Sequence, residues 1–467
     1  MSRTHDYLSA PPTDGKFAFS VNGTPIMVLG TNWVPLDAIH ARDAERLPRA
    51  LSELWNTNSN TGRCCWGGNL YEDTSFFDWC DERGILVRQD FALACARYPQ
   101  SEPFLSELGT EATSIIKKLR NHACLLVWSG SNETDDSWVA QGIDPGRDIV
   151  TRQLLPSAVL MHGWATPYIE GSPAQPAAAA ATRRSDLSPE QHLWGARASF
   201  KDAFYAQTNA RFIGEGGVHG AISGSSIDKF IPPGHGLFDP DDRIWKLHQS
   251  DHRSHPLWYQ DHLRLLGDQT DLYFRSVNRA SRAEFIPASQ IRQAEAYKFI
   301  IENTRLAKGQ RSEVLWWSLL DCWPQVSASL VDYLFDRRLG YHYVRRSQQS
   351  VCMIAAEAIG WSRAVTLVND SSWSGTVEFE ISSVRRPDFT MAGLAHSEAG
   401  ANLEVCRLPL APSGDCYLFS WKMMGRTFAN HYIEDAPPLE LSDYTTFYLP
   451  AIANLDTSFR IDELWPE

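Results

Sequence analysis

Two glutamates stand where buried strands should end. Glu133 closes LLVWSGSNE (125–133), in which an apolar run, Leu125 to Trp128, breaks into small and polar residues and sets Asn132 beside the carboxylate. Glu215 closes RFIGE (211–215), with Gly214 before it and Gly216 and Gly217 after it. The two lie 82 residues apart. That leaves room for two or three strand–helix units, so both can face one another across the mouth of one parallel sheet. Paired carboxylates are what cleavage of a glycosidic bond requires: one, of raised pKa, protonates the leaving oxygen, and the other, ionised, attacks the sugar carbon or activates water. A strand-end glutamate is also commonly an ordinary hydrogen-bonded carboxylate, and from the residues alone that reading stays open for both.

Strand-like and helix-like runs alternate from residue 26 to about 345. IMVLG (26–30), a short run ending near Arg63, ILVRQDF (85–91), CLLVWS (124–129), ATPYI (165–169), RFIGE (211–215) and EVLWWSLLD (313–321) read as strands. Helical patterns fall near 43–56, 73–84, 104–121, 147–162, 196–208 and 289–308. DTSFFDWCDERG (73–84) opens on an Asp-Thr cap and stops on Gly. Such alternation predicts an α/β fold whose parallel sheet closes as a (β/α)8 barrel. An open doubly wound sheet is second choice, because no GxGxxG opens a helix after the first strand. Two stretches interrupt the alternation: a low-complexity loop around AQPAAAAATRRSDLSPE (within 171–191), and 216–287, rich in His, Gly, Pro and Asp. Both suit site-forming loops and plain insertions equally.

After about 350 the pattern becomes short alternating strands between turns: AVTLVND, GTVEFEIS, NLEVCRL, CYLFSWKM. That predicts a smaller C-terminal β-sandwich, immunoglobulin-like in kind. The expected division is 1–18 as a disordered or remnant segment, 19–348 as barrel and 349–467 as sandwich.

Bulk properties narrow the function. A formal net charge of −13 argues against nucleic acid or an anionic membrane as partner. There is no apolar run long enough for a membrane span and no apolar h-region near Met1, so the expected location is cytoplasmic. Nine Cys without CxxC or metal-like spacing read as reduced thiols. The 17 Trp suit sugar stacking as well as core packing.

Five longer stretches carry a resemblance. They are FSVNGTPIMVLGTNWVPLDA (19–38), WGGNLYEDTSFFDWCDERGILVRQDFALACARYP (66–99), RNHACLLVWSGSNE (120–133), ARFIGEGG (210–217) and LWWSLLDCWPQVSASLVDY (315–333). In that order they resemble motifs of glycoside hydrolase family 2, in its β-mannosidase-like branch. The resemblance implies a retaining exo-β-glycosidase with a carbohydrate substrate. Glu133 matches the general acid/base and Glu215 the nucleophile. Asn132 matches the Asn that bonds the sugar near its 2-hydroxyl, and Trp317 the Trp under the reacting sugar. Trp33, Trp66, Asp90, His192 and Trp194 occupy motif positions lining the same mouth. Trp33 and Trp66 also read as core, Asp90 as a structural carboxylate and His192 as a loop residue. Arg63 is a candidate contact of a catalytic carboxylate, although Cys64 and Cys65 separate it from Trp66 where the usual pattern has one residue. His219 suits the site and loop packing equally.

The implied chemistry needs no cofactor or metal, and no ligand cluster in the sequence demands one. β-Mannoside is the favoured substrate. The alternatives are β-galactoside, β-glucuronide or β-glucosaminide, and, in another class, a non-catalytic carbohydrate-binding protein or inactive fragment. The family usually carries two further domains before the barrel, whereas here the barrel is expected to begin near residue 19. Gly216 and Gly217, Leu320 and the poly-Ala loop depart from the family pattern. Oligomeric state is not legible.

Overall fold

The computed structural model describes residues 18–64, 71–194, 201, 203–250, 261–411 and 413–465. Trp66, the first 17 residues and six of the thirteen residues of the helix expected at 196–208 lie outside them, while Ala203–Ala206 of that helix is helical. Eight parallel strands form one sheet. They are β1 (Val28–Trp33), β2 (Thr61–Cys64), β3 (Leu86–Asp90), β4 (Leu125–Ser129), β5 (Tyr168–Ile169), β6 (Glu190–Leu193), β7 (Phe212–Gly216) and β8 (Glu313–Trp316). Their order is β5-β4-β3-β2-β1-β8-β7-β6, so the first and last strands pair and the sheet curls into the expected barrel-like form. Strand β6 was not among the expected strands. It is four residues long and three are polar, so no apolar run announces it.

Helices between the strands include α1 (Asp43–Asn56), α2 (Thr74–Arg83), α3 (Phe104–Leu119), α4 (Thr134–Ala140) and α5 (Leu155–His162). In α2 the Asp73 side chain accepts the Ser75 N–H, and Gly84 closes the helix at φ 69°, a conformation that favours glycine. In α3 the buried residues are Leu108, Ala112, Ile116 and Leu119, spaced to make one apolar stripe. Burying a leucine or isoleucine there contributes about 1.5–3 kcal/mol. At Gly30, in β1, a Cβ would lie 1.9 Å from the Thr61 carbonyl oxygen, so the approach of β1 to β2 requires glycine.

Seven antiparallel strands follow: β9 (Val351–Ala355), β10 (Ser362–Asn369), β11 (Gly375–Ser383), β12 (Thr390–Ser397), β13 (Asn402–Pro409), β14 (Cys416–Met423) and β15 (Arg426–Ile433). They form sheets of order β9-β10-β13 and β12-β11-β14-β15. Residues of both sheets, among them Ile354, Leu367, Ile381 and Phe419, make one buried apolar core. After Ile433 the chain turns to short helices between Leu441 and Leu464, which the strand pattern did not announce.

The chain packs as two compact units that interleave in sequence. One is Met1–Trp194, Gln207–Gly217 and Gly309–Cys322; the other is Gly195–Ala206, Val218–Lys308 and Trp323–Glu467. The first holds the eight-stranded sheet. The second joins the sandwich to two helices that precede it, α6 (Arg282–Leu306) and α7 (Leu339–Ser347). Polar contacts explain the grouping: Asn430 donates to Glu302 at 2.7 Å, His431 pairs with Glu295 at 3.0 Å, and Arg305 with Asp370 at 2.7 Å.

Candidate active site

Strand β4 ends at Ser129, but neighbouring loops carry the extended chain further. The Asn132 N–H donates to the Leu93 carbonyl at 2.8 Å, and the Glu133 N–H to the Ser172 carbonyl at 2.9 Å. These bonds hold Glu133 at φ 51°, left-handed backbone that costs a non-glycine residue roughly 1 kcal/mol. Glu133 stands at the N-terminus of α4, yet its side chain does not cap that helix. It turns instead to His192, whose Nδ1 lies 2.7 Å from Glu133 Oε1.

Glu215 enters from β7. Its Oε1 accepts from Arg63 Nη1 at 3.0 Å and its Oε2 from Trp194 Nε1 at 3.0 Å. His192 Nδ1 is 3.4 Å from the same Oε2. One oxygen of Glu133, one nitrogen of His192 and one oxygen of Glu215 all fall within 4.8 Å of one another. The two glutamates therefore meet at the C-terminal ends of β4 and β7, the face where parallel barrels carry their chemistry.

Arg63, fully buried at the inner face of β2, ties the group together. Besides Glu215 it donates to Asn32 Oδ1 at 2.9 Å, Asp90 Oδ2 at 2.7 Å and Asn132 Oδ1 at 2.7 Å. Asn132 Nδ2 is left facing Cys95 Sγ at 3.7 Å, and Cys95 Sγ lies 3.5 Å from Glu133 Oε2. Trp317, just past β8, donates its backbone N–H to the Gly216 carbonyl at 2.9 Å. Its ring meets that of Trp194 edge-on, with centroids 6.2 Å apart.

Seven of the eleven residues singled out in the sequence, Arg63 among them, thus share one contact network, and Trp317 joins it through Trp194. Trp33 is 2% exposed, donates its indole N–H to Glu72 at 2.8 Å and packs against Phe76. His219 lies against His262, with ring centroids 4.2 Å apart.

A second charged layer lies one step deeper. Arg88, two residues before Asp90, donates to Glu190 Oε1 at 2.8 Å and to Glu313 Oε1 at 3.0 Å. Ser172 Oγ adds a bond to Glu190 Oε1 at 2.5 Å. All three charged side chains are buried. Burial, with the charge of Glu190, pushes the Glu313 carboxyl up to about 7 against the pull of Arg88 and Arg63. At Gly214 a Cβ would come within 2.1 Å of Glu190 Oε1, so the residue before Glu215 has no space for a side chain. Arg88, Glu190, Glu313 and Cys95 were not foreseen as functional. For Arg88 and Glu313 the signal was a charge inside a run that otherwise reads as buried strand, as in ILVRQDF and EVLWW; Glu190 and Cys95 carried no such signal.

The two glutamates titrate apart. Burial pushes both upward. For Glu133 the hydrogen bond and charge of His192 outweigh it, with Cys95 and Arg63 assisting, and hold the carboxyl below its ordinary range. For Glu215, burial and the charge of Glu133 prevail over His192, Arg63 and Trp194 and leave the carboxyl raised. His192 itself is raised, because the two glutamates overcome the effect of burial.

An eight-stranded parallel barrel with two carboxylates at its C-terminal mouth is the architecture of many glycosidases. Comparison with known proteins agrees. The chain is 29% identical over 359 residues to a β-mannosidase of Capra hircus, a match covering 71% of this chain and 39% of that one. It is 27% identical over 386 residues to β-mannosidase B of Aspergillus fumigatus, covering 77% and 44%. Among solved structures, the β-D-mannosidase of Dictyoglomus thermophilum superimposes with a TM-score of 0.77 at 26% identity, over 90% of this chain and 51% of that one. An exo-chitosanase of Amycolatopsis orientalis shares the fold, with a TM-score of 0.70 at 18% identity. No family model matches the chain. The protein is a relative of the glycoside hydrolase family 2 β-mannosidases that spans about two-fifths to half of their length.

Proposed function

We propose that the protein is a retaining exo-β-glycosidase that releases terminal β-linked sugars, with β-mannosides preferred. One observation carries the mechanism: oxygens of Glu133 and Glu215 lie within 4.8 Å. Retaining pairs stand roughly 5–5.5 Å apart, whereas inverting pairs leave about 6.5–9.5 Å for a water. Glu215 attacks the anomeric carbon and forms a glycosyl ester. Glu133 protonates the departing oxygen, then takes a proton from the water that hydrolyses the ester. Asn132, its Oδ1 held by Arg63, keeps Nδ2 to donate to a sugar hydroxyl. Trp317 provides an apolar floor beneath the ring. The preference for mannose draws on the named relatives.

This cycle needs Glu215 ionised and Glu133 protonated, the reverse of the directions in which burial and the surrounding charges push the two carboxyls. His192 supplies the exchange. Its Nδ1 stands between the two, 2.7 Å from Glu133 and 3.4 Å from Glu215. A sugar that parts it from Glu133 lets the imidazolium favour Glu215 instead, and each carboxyl then has the charge its step requires.

The test is a panel of aryl β-glycosides in mannose, galactose, glucuronic acid and glucosamine configurations, given to wild type and Glu215→Ala side by side. The mannoside should be cleaved fastest and Glu215→Ala should be inactive. Glu215→Gly should regain turnover with azide or formate as external nucleophile. Full activity in Glu215→Ala would remove the assignment, and a wild type inert on all four sugars would remove the enzyme.

A further inference from the structure

Each oxygen of Glu133 has its own companion. Oε1 lies 2.7 Å from His192 Nδ1, and Oε2 lies 3.5 Å from Cys95 Sγ. His192 divides itself between the two glutamates, since its Nδ1 is also 3.4 Å from Glu215 Oε2. Cys95 comes instead from the loop that follows β3, and that loop is tied to the Glu133 segment. Ala94 bridges Asn132 in parallel register. The Cys95 N–H donates to the Asn132 carbonyl at 2.9 Å, and the Asn132 N–H to the Leu93 carbonyl at 2.8 Å. The Tyr98 hydroxyl accepts the Ala94 N–H at 2.8 Å and donates to the Ala94 carbonyl at 3.2 Å. Bound in this way, Cys95 sits at φ 50°, left-handed backbone that a non-glycine residue holds only when its surroundings impose it.

The neighbours of the thiol set the direction of its hydrogen. Asn132 Nδ2 approaches the sulfur at 3.7 Å, and an amide nitrogen only donates. The sulfur therefore accepts from Asn132 and gives its one hydrogen to Glu133 Oε2. Burial and the charges of Glu133 and Glu215 push the thiol upward, so it stays S–H while the carboxyls change charge. A carboxyl oxygen that accepts from a neighbour is the poorer seat for the carboxyl's own proton, which goes to the other oxygen.

We propose that Cys95 is a positioning residue for the acid step: its S–H holds Glu133 Oε2, so that the acid proton is carried on Oε1, the oxygen from which an entering sugar parts His192. The proton passes from Oε1 to the departing oxygen as the glycosidic bond breaks. The proton taken from water returns to the same atom, and Cys95 keeps its own hydrogen throughout. The role in turnover rests on the glycosidase reading above; the hydrogen bond itself does not.

The experiment compares two β-glycosides of whichever sugar the wild type cleaves best, differing only in leaving group. A dinitrophenolate departs without a proton, whereas a methoxyphenolate needs one from the acid. In Cys95→Ala the loss of kcat/KM on the methoxyphenyl glycoside should exceed that on the dinitrophenyl glycoside by about ten-fold or more. Cys95→Gly, whose backbone suits φ 50°, should show the same split and covers the case of a poorly folded alanine variant. Cys95→Ser, which keeps a donor, should recover most of the difference. Equal losses on the two substrates would mark Cys95 as merely structural and overturn the proposal. The second readout needs no turnover. The S–H stretch falls in an infrared window where other protein groups do not absorb, and subtracting the Cys95→Ala spectrum isolates the Cys95 band. That band should lie below the frequency of an unbonded thiol and rise to it in Glu133→Ala. A band unmoved by Glu133→Ala would overturn the proposal as well. If the band moves but the wild type cleaves no glycoside, the enzymatic reading fails and the hydrogen bond stands.

Discussion

Arg63 reaches Asn32, Asp90, Asn132 and Glu215 with one planar fork, and at residue scale it is the piece on which the others hang. Removing a buried cation leaves its carboxylates unpaired, which typically costs 3–5 kcal/mol. Arg63→Met should lower stability by about that much in urea unfolding, while Arg63→Lys, which keeps charge without the fork, should lose less. His192 gives a prediction of a different kind. Its charge lowers both Glu133 and Glu215. Without it both carboxyls rise, so in His192→Gln both limbs of the pH profile of kcat/KM should move to higher pH. Opposite movement of the limbs would contradict this. Glu133 and Glu215 were legible because each closes an apolar run. The hub role of Arg63 was not: contacts inside a barrel depend on which residues of each strand face inward, and that is set by pairing register. Here Arg63 pairs with Arg88 and Asn32, a register that the Cys64–Cys65 pair obscures in the sequence.

Among the elements, long amphipathic or apolar ones were readable and short polar ones were not. α2 announced itself by its caps and β4 by its apolar run. β6 did not, because Glu190 and His192 point where hydrophobic residues would mark a strand. Those two polar positions are the reason the strand matters, since one belongs to the deeper layer and the other to the mouth. Gly214 couples them to β7. In Gly214→Ala the new methyl would strike Glu190 while Arg88 and Ser172 hold it. Stability should fall by about 1–3 kcal/mol and activity should fall with it, measured by thermal unfolding and by turnover of the aryl mannoside. A variant of unchanged melting temperature would mean that Glu190 has room to yield.

At the scale of the whole chain, stability should depend on pH through the second unit. Burial, joined by the charges of Arg337, Arg346 and Arg345, holds the His342 imidazole down to about 3. In the unfolded chain an ordinary histidine titrates near 6.5, so above that pH neither state binds the proton. Between about 6.5 and 3 only the unfolded state does, and each pH unit in that window removes about 1.4 kcal/mol of stability. Denaturant unfolding at about pH 7 and pH 4.5 should show roughly 2–3 kcal/mol more loss in wild type than in His342→Phe. Equal losses would exclude His342 as the cause. The interleaving of the two units was not legible either, because local pattern reveals elements but not which distant segments share a core. The layer of Arg88, Glu190 and Glu313 has a consequence for how the molecule is made. Arg88 waits on partners 102 and 225 residues further along the chain. A chain emerging N-terminus first from the ribosome cannot complete that buried layer until residue 313 has appeared, so closure of the barrel waits for β8, and the nascent chain must hold its first strands open, or have them held, until then.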